Sequence, residues 1–310
     1  MERMIISGGN GFLGSFLAEK ALKSGMEVTV VDNFSTSVHS YLPKEVTVVK
    51  KSVESFSTNQ KFDFVAHLAA RPSPEDYSMN PVDTLLSNSL GTKGMLDIAR
   101  ASNAVFLYTS SSEVYGEASI IPTPETYYGY VNPNGVRSCY DEGKRFSEAL
   151  IMAYHREFGL DVRIERPFNV YGPRIREDGF YGRVIPRFIS QALRREDITI
   201  HGDGKQTRSY LYVDDWINAT WKLLTLKNLG GTVVNIGASD QISVLELANM
   251  ILKLTQSRSV LRFLPPRKDD PTRRAADSTL ATKLLKWEPL IGLQTGLLKT
   301  IEWFNGKAAK

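Results

Sequence analysis

The sequence predicts an α/β protein built on a doubly wound parallel sheet, followed by a smaller C-terminal domain. Two observations lead to this prediction. Short β-branched segments alternate with helically patterned segments through about the first 170 residues, and a glycine-rich turn separates the first strand from the first helix. Alternating strands and helices imply right-handed βαβ crossovers, which build a parallel sheet covered by helices on both faces.

The elements are taken in order from the N-terminus. Residues 4–7 form a short apolar run ended by glycines, and residues 11–24 carry apolar side chains at helical spacing until Gly25 ends the pattern. Residues 27–32, with the sequence EVTVVD, are β-branched and typical of a strand. Further strands are predicted over residues 46–50, 62–70, 104–112 and 161–170, and long helices over residues 81–101 and 137–158.

The alternation changes after residues 171–174. Helical patterns at residues 184–195 and 244–254 then mix with short strands and with the proline-rich turn LPPRKDDP. The predicted domains are a first domain over residues 1–172, to which a segment at about 210–237 returns, and a smaller one over residues 173–310.

Composition and charge narrow the possible function classes. Of 310 residues, 42% are hydrophobic and 23% are charged, which is ordinary for a soluble globular protein. The net charge of +4 is scattered without a long basic run, so nucleic-acid binding is not expected. No apolar run is long enough to cross a bilayer, and the N-terminal residues have no signal-peptide core, so no membrane association is expected.

Cysteine and histidine usage give two further expectations. The single cysteine, Cys139, excludes an intramolecular disulfide and is expected to be a small buried side chain. This usage fits a reducing compartment, and we expect a cytoplasmic protein. The four histidines lie far apart in the sequence without ligand spacing, so no metal site is expected.

A glycine turn opens the chain in the sequence ISGGNGFLGS. The first glycine, Gly8, permits a tight turn, Gly11 lets the backbone approach a pyrophosphate, and Gly14 packs the helix against the strand. The N-terminus of the following helix then faces the phosphates with its free N–H groups. Strand, glycines, helix and second strand occur in the required order, which predicts a Rossmann-type dinucleotide site.

An acidic residue closes the second strand. Asp32 follows Gly14 by eighteen residues, where a carboxylate can accept both ribose hydroxyls of adenosine. It would also repel a 2′-phosphate, and no arginine in DNFSTS offsets that charge. NAD is therefore favoured over NADP.

The stretch RSCYDEGKRFSEAL holds Tyr140 and Lys144 at positions i and i+4, on one face of the predicted helix. An ammonium near a phenol lowers the pKa of the phenol from about 10 toward neutrality. Such a tyrosine can take a proton from a sugar hydroxyl while hydride leaves for nicotinamide, and the lysine can hold the nicotinamide ribose. The strand that ends in TSSSEVYG would bring a serine hydroxyl to the same oxygen.

Over essentially its whole length the chain resembles the extended short-chain dehydrogenase/reductase family, at Gly8, Gly11, Gly14, Asp32, Ser111, Tyr140 and Lys144. Within that family it is most similar to the UDP-glucuronate decarboxylases. The similar segments are HLAARPSPEDYSMNP, SSSEVYG, GYVNPNGVRSCYDEGKR, RPFNVYGPR, GDGKQTRSYLYVDD and DDPTRRAAD. The resemblance implies NAD as cofactor, a nucleotide-sugar as substrate, and a homodimer formed through the helices near residues 81–101 and 137–158.

The resemblance also implies a role for each matching residue. Tyr140 would be the general base, Lys144 its tuner and a ribose ligand, and Ser111 the partner of the reacting oxygen. Glu113 would lie near C5 and C6 of the sugar, Arg208 at the pyrophosphate, and Arg274 at the pyrophosphate or a substrate carboxylate. The expected cofactor-binding residues are Gly8, Gly11, Phe12, Leu13, Asp32, Asn33, Ser35, Thr36, Ser52, Val53, Leu68, Ala69, Ala70, Asn88, Thr109, Tyr140, Lys144, Pro167 and Val170. The expected substrate-binding residues are Ser111, Ser112, Glu113, Tyr140, Asn169, Arg183, Val184, Arg187, Arg208 and Arg274.

The chain departs from the family pattern at three places. Ser52 stands where an aspartate usually faces the adenine, which predicts a weaker adenine contact. Arg71 stands where decarboxylases usually have a small residue or proline, which changes the charge near the site. The segment DGFYGR, residues 178–183, is about two residues longer than in decarboxylases and puts the identity of the substrate in question.

Four functions remain in order of preference. All three enzymatic candidates begin with oxidation at C4 of the sugar. A decarboxylase comes first because Glu113 matches its pattern, and a 4-epimerase, in which Glu113 would be superfluous, comes second. A 4,6-dehydratase is third because Ser112 replaces the aspartate that precedes the glutamate in that class. A non-catalytic NAD-binding regulator is last, because Ser111, Tyr140 and Lys144 are all present.

Overall fold

The computed structural model describes residues 1–37, 39–177, 183–267 and 271–308. Its strands are β1 Arg3–Ser7, β2 Glu27–Asp32, β3 Thr47–Lys50, β4 Phe64–His67, β5 Val105–Thr109, β6 Val162–Pro167, β7 Val170–Tyr171, β8 Ile198–His201, β9 Thr207–Ser209, β10 Leu211–Tyr212, β11 Thr232–Ile236, β12 Gln241–Ser243, β13 Leu261–Leu264 and β14 Arg273–Arg274. Its α-helices are α1 Phe12–Lys23, α2 Pro74–Met79, α3 Pro81–Leu86, α4 Thr92–Ser102, α5 Ser138–Phe158, α6 Val184–Leu193, α7 Val213–Thr225, α8 Val244–Thr255, α9 Thr279–Leu285 and α10 Leu293–Ala308.

Seven parallel strands form the main sheet, in the order β11–β6–β5–β4–β1–β2–β3. The order steps outward from β1 through β2 and β3 on one side and through β4, β5 and β6 on the other. Ligands of such open sheets bind outside the carboxyl ends of the strands, where the order reverses. The predicted doubly wound parallel sheet is thereby confirmed.

The central strand, β1, is buried on both faces, which explains why its sequence is an unbroken apolar run. Met4, Ile5 and Ile6 of β1 are all 0% exposed. Met4 and Ile6 join the hydrophobic cluster on one face of the sheet, and Ile5 joins the cluster on the other face. Because successive side chains of a strand point to opposite faces, a sheet covered by helices on both sides requires apolar residues at every position.

The helix predicted over residues 81–101 is interrupted. A π-helical segment, Ser87–Gly91, lies between α3 and α4. Side chains bond to preceding carbonyls here: the Asn88 amide donates to the Thr84 oxygen at 2.8 Å, and the Ser89 hydroxyl donates to the Leu85 oxygen at 2.7 Å. Residues 81–102 are nevertheless helical throughout, as predicted, and these side-chain bonds, which compete with the helical ladder, accompany the π-helical segment.

The C-terminal part of the chain contributes both to the main sheet and to the small sheets beside it. β11 pairs with β6 from Thr232 opposite Arg163 to Ile236 opposite Pro167. In a separate three-stranded sheet, β14 pairs with β9, and this register sets Arg274 opposite Arg208. The division of function between two domains at residue 172 stays a prediction.

Two kinds of feature are absent from the described residues: membrane-spanning helices and clusters of metal ligands. None of their helices combines the length and the apolar character needed to cross a bilayer. In the same ranges, no three His, Cys, Asp or Glu side chains come together as a set of metal ligands.

Candidate active site

The glycine turn closes tightly between β1 and α1. Gly8 has a φ of 71°, in the left-handed region that favours glycine. A Cβ built on Gly14 would lie 2.2 Å from the Gly8 carbonyl oxygen, so the helix packs directly on the turn. Asn10 is 3% exposed, and its side-chain nitrogen and oxygen have no hydrogen-bond partner within the described part of the chain. Buried polar atoms of this kind at a helix N-terminus fit the pyrophosphate of a dinucleotide.

Asp32 ends β2 beside this turn. Its carboxylate accepts the backbone N–H of Asn10 at 2.9 Å and that of Phe34 at 2.8 Å. Burial raises the pKa of Asp32, and the two backbone bonds act against that rise. The bonds fix the carboxylate at the cavity wall and leave lone pairs for ribose hydroxyls, so the residues fit the adenosine half of NAD.

A cavity of about 800 Å³ runs from the glycine turn past the carboxyl ends of the strands to β9 and β14. It is lined by every predicted site residue except Asn88. Asn88 is fully buried behind the wall, where its amide oxygen accepts the Tyr108 hydroxyl at 3.2 Å. The structure therefore sets Asn88 apart from the cavity, although its contact with the cofactor was expected.

Tyr140 and Lys144 lie one turn apart on α5, and both line the cavity. Burial raises the pKa of Tyr140 to about 12, while the charge of Arg183 and a hydrogen bond with Ser111 lower it. The expected net lowering of the Tyr140 pKa is therefore wrong for this structure, because the loss of solvent outweighs the nearby positive charge. The Lys144 ammonium lies 5.9 Å from the centre of the Tyr140 ring and donates to the Thr109 carbonyl at 2.8 Å.

Glu113 forms ion pairs with two arginines from distant parts of the chain. Arg137, directly before α5, and Arg274 on β14 both contact its carboxylate. Burial raises the pKa of Glu113, but the charges of the two arginines outweigh it and hold that pKa well below its usual range. Glu113 is therefore a carboxylate and not a proton donor at neutral pH.

Arg137 is a site residue that the sequence reasoning missed. It lines the cavity and lies three residues before Tyr140, the spacing that places two side chains on the same face of a helix. That spacing, together with the need to balance Glu113, is the signal that could have identified it. Tyr77, which packs against Tyr140, was missed because the two residues are far apart in the sequence.

The other predicted substrate residues lie around the same cavity. Arg208 donates to the carbonyls of Thr207 at 2.8 Å and Pro271 at 2.6 Å. Asn169, which has a φ of 42°, donates to the Ser209 carbonyl at 2.9 Å.

Arg187, which also lines the cavity, has one guanidinium nitrogen without a hydrogen-bond partner among the described residues. Burial lowers the pKa of Arg187 to about 10, and the positive charge of Arg267 adds to this effect. The Arg187 Nε has no partner among the described residues. An unpartnered guanidinium nitrogen at the cavity wall is available to an anionic group of a ligand.

The structure shows the surroundings of two of the three departures from the family pattern, Ser52 and Arg71. Ser52 hydrogen-bonds the carboxylate of Glu54, so an acidic group is present at that wall in spite of the missing aspartate. Arg71 donates to both carboxylate oxygens of Asp76, at 2.9 and 3.0 Å, so its charge is locally balanced. Of the longer segment at 178–183, residues 178–182 lie outside the described residues.

The sequence profile described as the NAD dependent epimerase/dehydratase family matches residues 4–237, a range that contains the glycine turn, Asp32, Tyr140 and Lys144. The chain belongs to this family. The predicted cofactor, NAD, is confirmed as the one on which the epimerase/dehydratase family depends.

Curated relatives in the epimerase/dehydratase family narrow the comparison. The chain is 41% identical over 320 residues to UDP-glucuronic acid decarboxylase 1 of Danio rerio, an alignment that covers 98% of this chain and 73% of that protein. It is 42% identical over 308 residues to UDP-glucuronic acid decarboxylase 4 of Arabidopsis thaliana, covering 98% of this chain and 68% of that protein.

Solved structures of the family share the whole fold. The UDP-glucose 4-epimerase of Thermotoga maritima, solved with UDP-glucose, has a TM-score of 0.92 at 30% identity and covers 99% of both chains. MoeE5, solved in complex with UDP-glucuronic acid and NAD, has a TM-score of 0.87 at 28% identity and covers 98% of this chain and 99% of its own. The similarity in fold therefore extends to relatives that bind different UDP-sugars.

Proposed function

We propose that this protein decarboxylates UDP-glucuronate to UDP-xylose through a 4-keto sugar, with NAD as cofactor. The observation that supports this choice is the placement of Glu113 between Arg137 and Arg274 in the cavity that holds Tyr140. Two guanidinium groups face Glu113, and the carboxyl of Asp141 lies 3.8 Å from Arg137. Burial, and then the charge of Glu113, raise the pKa of Asp141 to about 7, so this largely buried cluster has a net positive charge while Asp141 is protonated. Such a site favours a substrate that brings a further carboxylate, as a uronic acid does.

Arg274 is the arginine best placed to bind that carboxylate. It is 5% exposed, and its Nη2 has no hydrogen-bond partner among the described residues. A buried guanidinium nitrogen with an unused N–H is costly unless a ligand accepts it. The C6 carboxylate of a glucuronosyl group would satisfy it beside Glu113.

The side chains of the site divide the reaction between them. Bound NAD supplies the oxidation at C4 and the return of the same hydride. Tyr140 accepts the proton of the C4 hydroxyl, and Ser111, whose hydroxyl lowers the pKa of Tyr140, holds the oxygen that becomes the ketone. Once C4 is a ketone, the C6 carboxylate belongs to a β-keto acid, which releases carbon dioxide readily. Loss of carbon dioxide leaves an enolate, which takes up a proton from solvent at C5 before the hydride returns to C4. Glu113, as an anion, orients the two arginines and is not the donor of that proton.

A 4-epimerase is the second candidate. The support for it is the TM-score of 0.92 with a UDP-glucose 4-epimerase over 99% of both chains. An epimerase has no use for a carboxylate held by two arginines, which is why the decarboxylase comes first. A 4,6-dehydratase ranks third because Ser112 lacks the acidic group expected before Glu113.

We also propose a homodimer in a reducing compartment, the cytoplasm. The faces of α3, α5 and the π-helical segment carry exposed apolar side chains: Val82 is 65% exposed, Leu90 52% and Phe146 51%. A face of this kind is typical of a protein interface. The one cysteine, Cys139, is buried and unpaired, which fits a reducing environment.

One experiment separates the three reactions. The protein is incubated with NAD and with UDP-glucuronate, UDP-glucose or UDP-galactose, and the products are identified by NMR while released carbon dioxide is measured. The decarboxylase proposal expects carbon dioxide and UDP-xylose from UDP-glucuronate alone. Interconversion of 4-epimers without carbon dioxide would instead establish the epimerase.

A further inference from the structure

Glu165 on β6 is a buried carboxylate that the proposed reaction does not use. It is 0% exposed. One of its oxygens accepts the Thr109 hydroxyl at 2.7 Å and the Trp216 indole N–H at 3.2 Å, and the other accepts the Thr220 hydroxyl at 2.6 Å. All three donors are neutral, so they satisfy the oxygens without cancelling the charge. A carboxylate buried in this way is stable as an anion only with an opposite charge nearby.

Thr109 connects Glu165 to the active-site lysine. The Thr109 hydroxyl donates to Glu165, while the Thr109 carbonyl accepts the ammonium of Lys144 at 2.8 Å. Lys144 is 2% exposed. Burial lowers the pKa of Lys144 to about 7, and the negative charges of Glu148 and Glu165 oppose that shift. One residue, Thr109, therefore holds both members of a buried pair of opposite charges.

The other ionisable groups near Lys144 are balanced or neutral. Glu148, on the same helix, pairs with Arg166 at 2.5 Å, so its charge is already offset. On β4, burial and the charge of Lys144 lower the pKa of His67 to about 3, which leaves that imidazole neutral at physiological pH.

The remaining neighbours do not supply a counter-charge either. Tyr108 and Tyr140 present neutral rings, whose centres lie 4.6 and 5.9 Å from the ammonium. On α7, which packs against Glu165 through Trp216 and Thr220, the acidic Asp215 accepts the Ile291 N–H at 2.9 Å. Glu165 is thus the carboxylate near Lys144 whose hydrogen-bond partners among the described residues are all neutral.

We infer that Glu165 is a positioning residue, which keeps Lys144 protonated in its buried site and holds Thr109 where its carbonyl meets the ammonium. The inference concerns the charge of Lys144 and does not depend on which nucleotide-sugar the enzyme converts. Its functional consequence lies at Tyr140, because an ammonium on the neighbouring turn favours the ionised phenol that acts as base.

The protonation of Lys144 can be measured without turnover. Lys144 lines the cavity, so a trace of acetic anhydride reaches it, and the labelling rate at each pH follows the fraction of free amine. The labelled peptide is quantified by mass spectrometry. In Glu165→Gln, which keeps the size and loses the charge, we expect the midpoint of Lys144 labelling to fall by about one pH unit. An unchanged midpoint would overturn the inference.

A matched control separates charge from packing. Thr220→Ser keeps the hydroxyl that donates to Glu165 and removes only a buried methyl group, so the Lys144 midpoint should stay close to that of the wild type while stability decreases. If Thr220→Ser shifts the midpoint as much as Glu165→Gln does, a structural effect explains both results and the inference is wrong.

A reciprocal variant covers the case in which Glu165→Gln does not fold. Lys144→Met keeps Glu165 and removes the ammonium, and the Glu165 carboxyl is followed by NMR of protein that carries ¹³C-labelled glutamate. Because two coupled groups shift each other reciprocally, we expect the Glu165 titration to move to higher pH. A Glu165 midpoint that does not move would contradict the inference equally.

Discussion

The ring of Tyr77 lies parallel to the ring of Tyr140, with the centres 5.4 Å apart and the planes inclined by 11°. Tyr77 is 1% exposed on α2, and its hydroxyl has no hydrogen-bond partner in the ranges that the structure describes. The stacked ring, and not the hydroxyl, therefore holds Tyr140 in position.

Substitution of Tyr77 distinguishes the ring from the hydroxyl. Tyr77→Phe keeps the stacked ring and removes an unsatisfied buried group, so kcat and stability should stay close to those of the wild type. Tyr77→Ala leaves a cavity beside Tyr140, and we expect kcat to fall and the free energy of unfolding to decrease by about 3–5 kcal/mol. Denaturant unfolding and steady-state kinetics measure both quantities. Equal loss in both variants would show that the hydroxyl matters.

The pairing of Arg137 and Arg274 with Glu113 predicts how ligand affinity depends on the substrate carboxylate. Arg274→Met should raise the Kd for UDP-glucuronate by about 10- to 100-fold, which corresponds to the free energy of one hydrogen bond to a charged group. UDP-xylose lacks the carboxylate and is the matched control ligand, so its affinity should change much less. Isothermal titration of both ligands into NAD-loaded Tyr140→Phe protein, with and without Arg274→Met, gives the ratio without turnover of UDP-glucuronate. A similar loss for both would place Arg274 at the pyrophosphate.

The fold and most of the cavity wall could be predicted because they depend on local patterns. The glycine turn, the apolar run of β1 and the i, i+4 spacing of Tyr140 and Lys144 are each visible within a short segment. In a doubly wound sheet the carboxyl ends of the strands meet at one edge. That rule alone brings residues such as Asp32 and Ser111 to one cavity.

The electrostatics of the site could not be read in this way. The pairing of Glu113 with Arg274 joins residues 161 positions apart, and its partner Arg137 carries no distinctive motif. The pKa of Tyr140 was expected to fall because the spacing of its lysine is visible in the sequence, whereas its burial is not. Desolvation depends on the packing of the whole domain, and here it determines the sign of the shift.

The pH dependence of stability tests the burial of Glu165 directly. Burial raises the pKa of Glu165 from 4.5 to about 7, while hydrogen bonds and the charge of Lys144 act against that rise. The folded state then binds this proton more tightly than the unfolded state, so the resulting stability is present below pH 4.5 and is lost as pH rises through about 7. Glu165→Gln has no such loss. The unfolding free energy of wild type minus that of the variant should fall by up to about 3 kcal/mol between about pH 4 and pH 8.

The proposed dimer is tested at its most exposed apolar positions. Val82→Glu or Leu90→Glu places a charge where the partner would pack, and we expect each variant to be monomeric by light scattering at micromolar concentration. Val260→Glu is a matched control, because Val260 is 62% exposed and precedes β13, away from α3 and α5. A monomeric wild type, or a dimer that survives both substitutions, would contradict the proposed interface.

Tyr140 and Glu113 should affect different steps of the reaction. Tyr140→Phe removes the proposed base, so the proton of the C4 hydroxyl cannot leave during oxidation. Loss of a general base costs about 10²–10⁴-fold, and we therefore expect no detectable NADH absorbance and no detectable product. Glu113→Gln keeps Tyr140 and Ser111 but loosens Arg137 and Arg274, which position the carboxylate-bearing sugar. Rapid mixing with UDP-glucuronate should therefore give NADH that accumulates and decays slowly, while UDP-xylose forms at a reduced rate. Glu113→Ser provides the stronger perturbation. Full activity of Glu113→Ser on any nucleotide-sugar would exclude a catalytic function for Glu113 and place the 4-epimerase ahead of the decarboxylase.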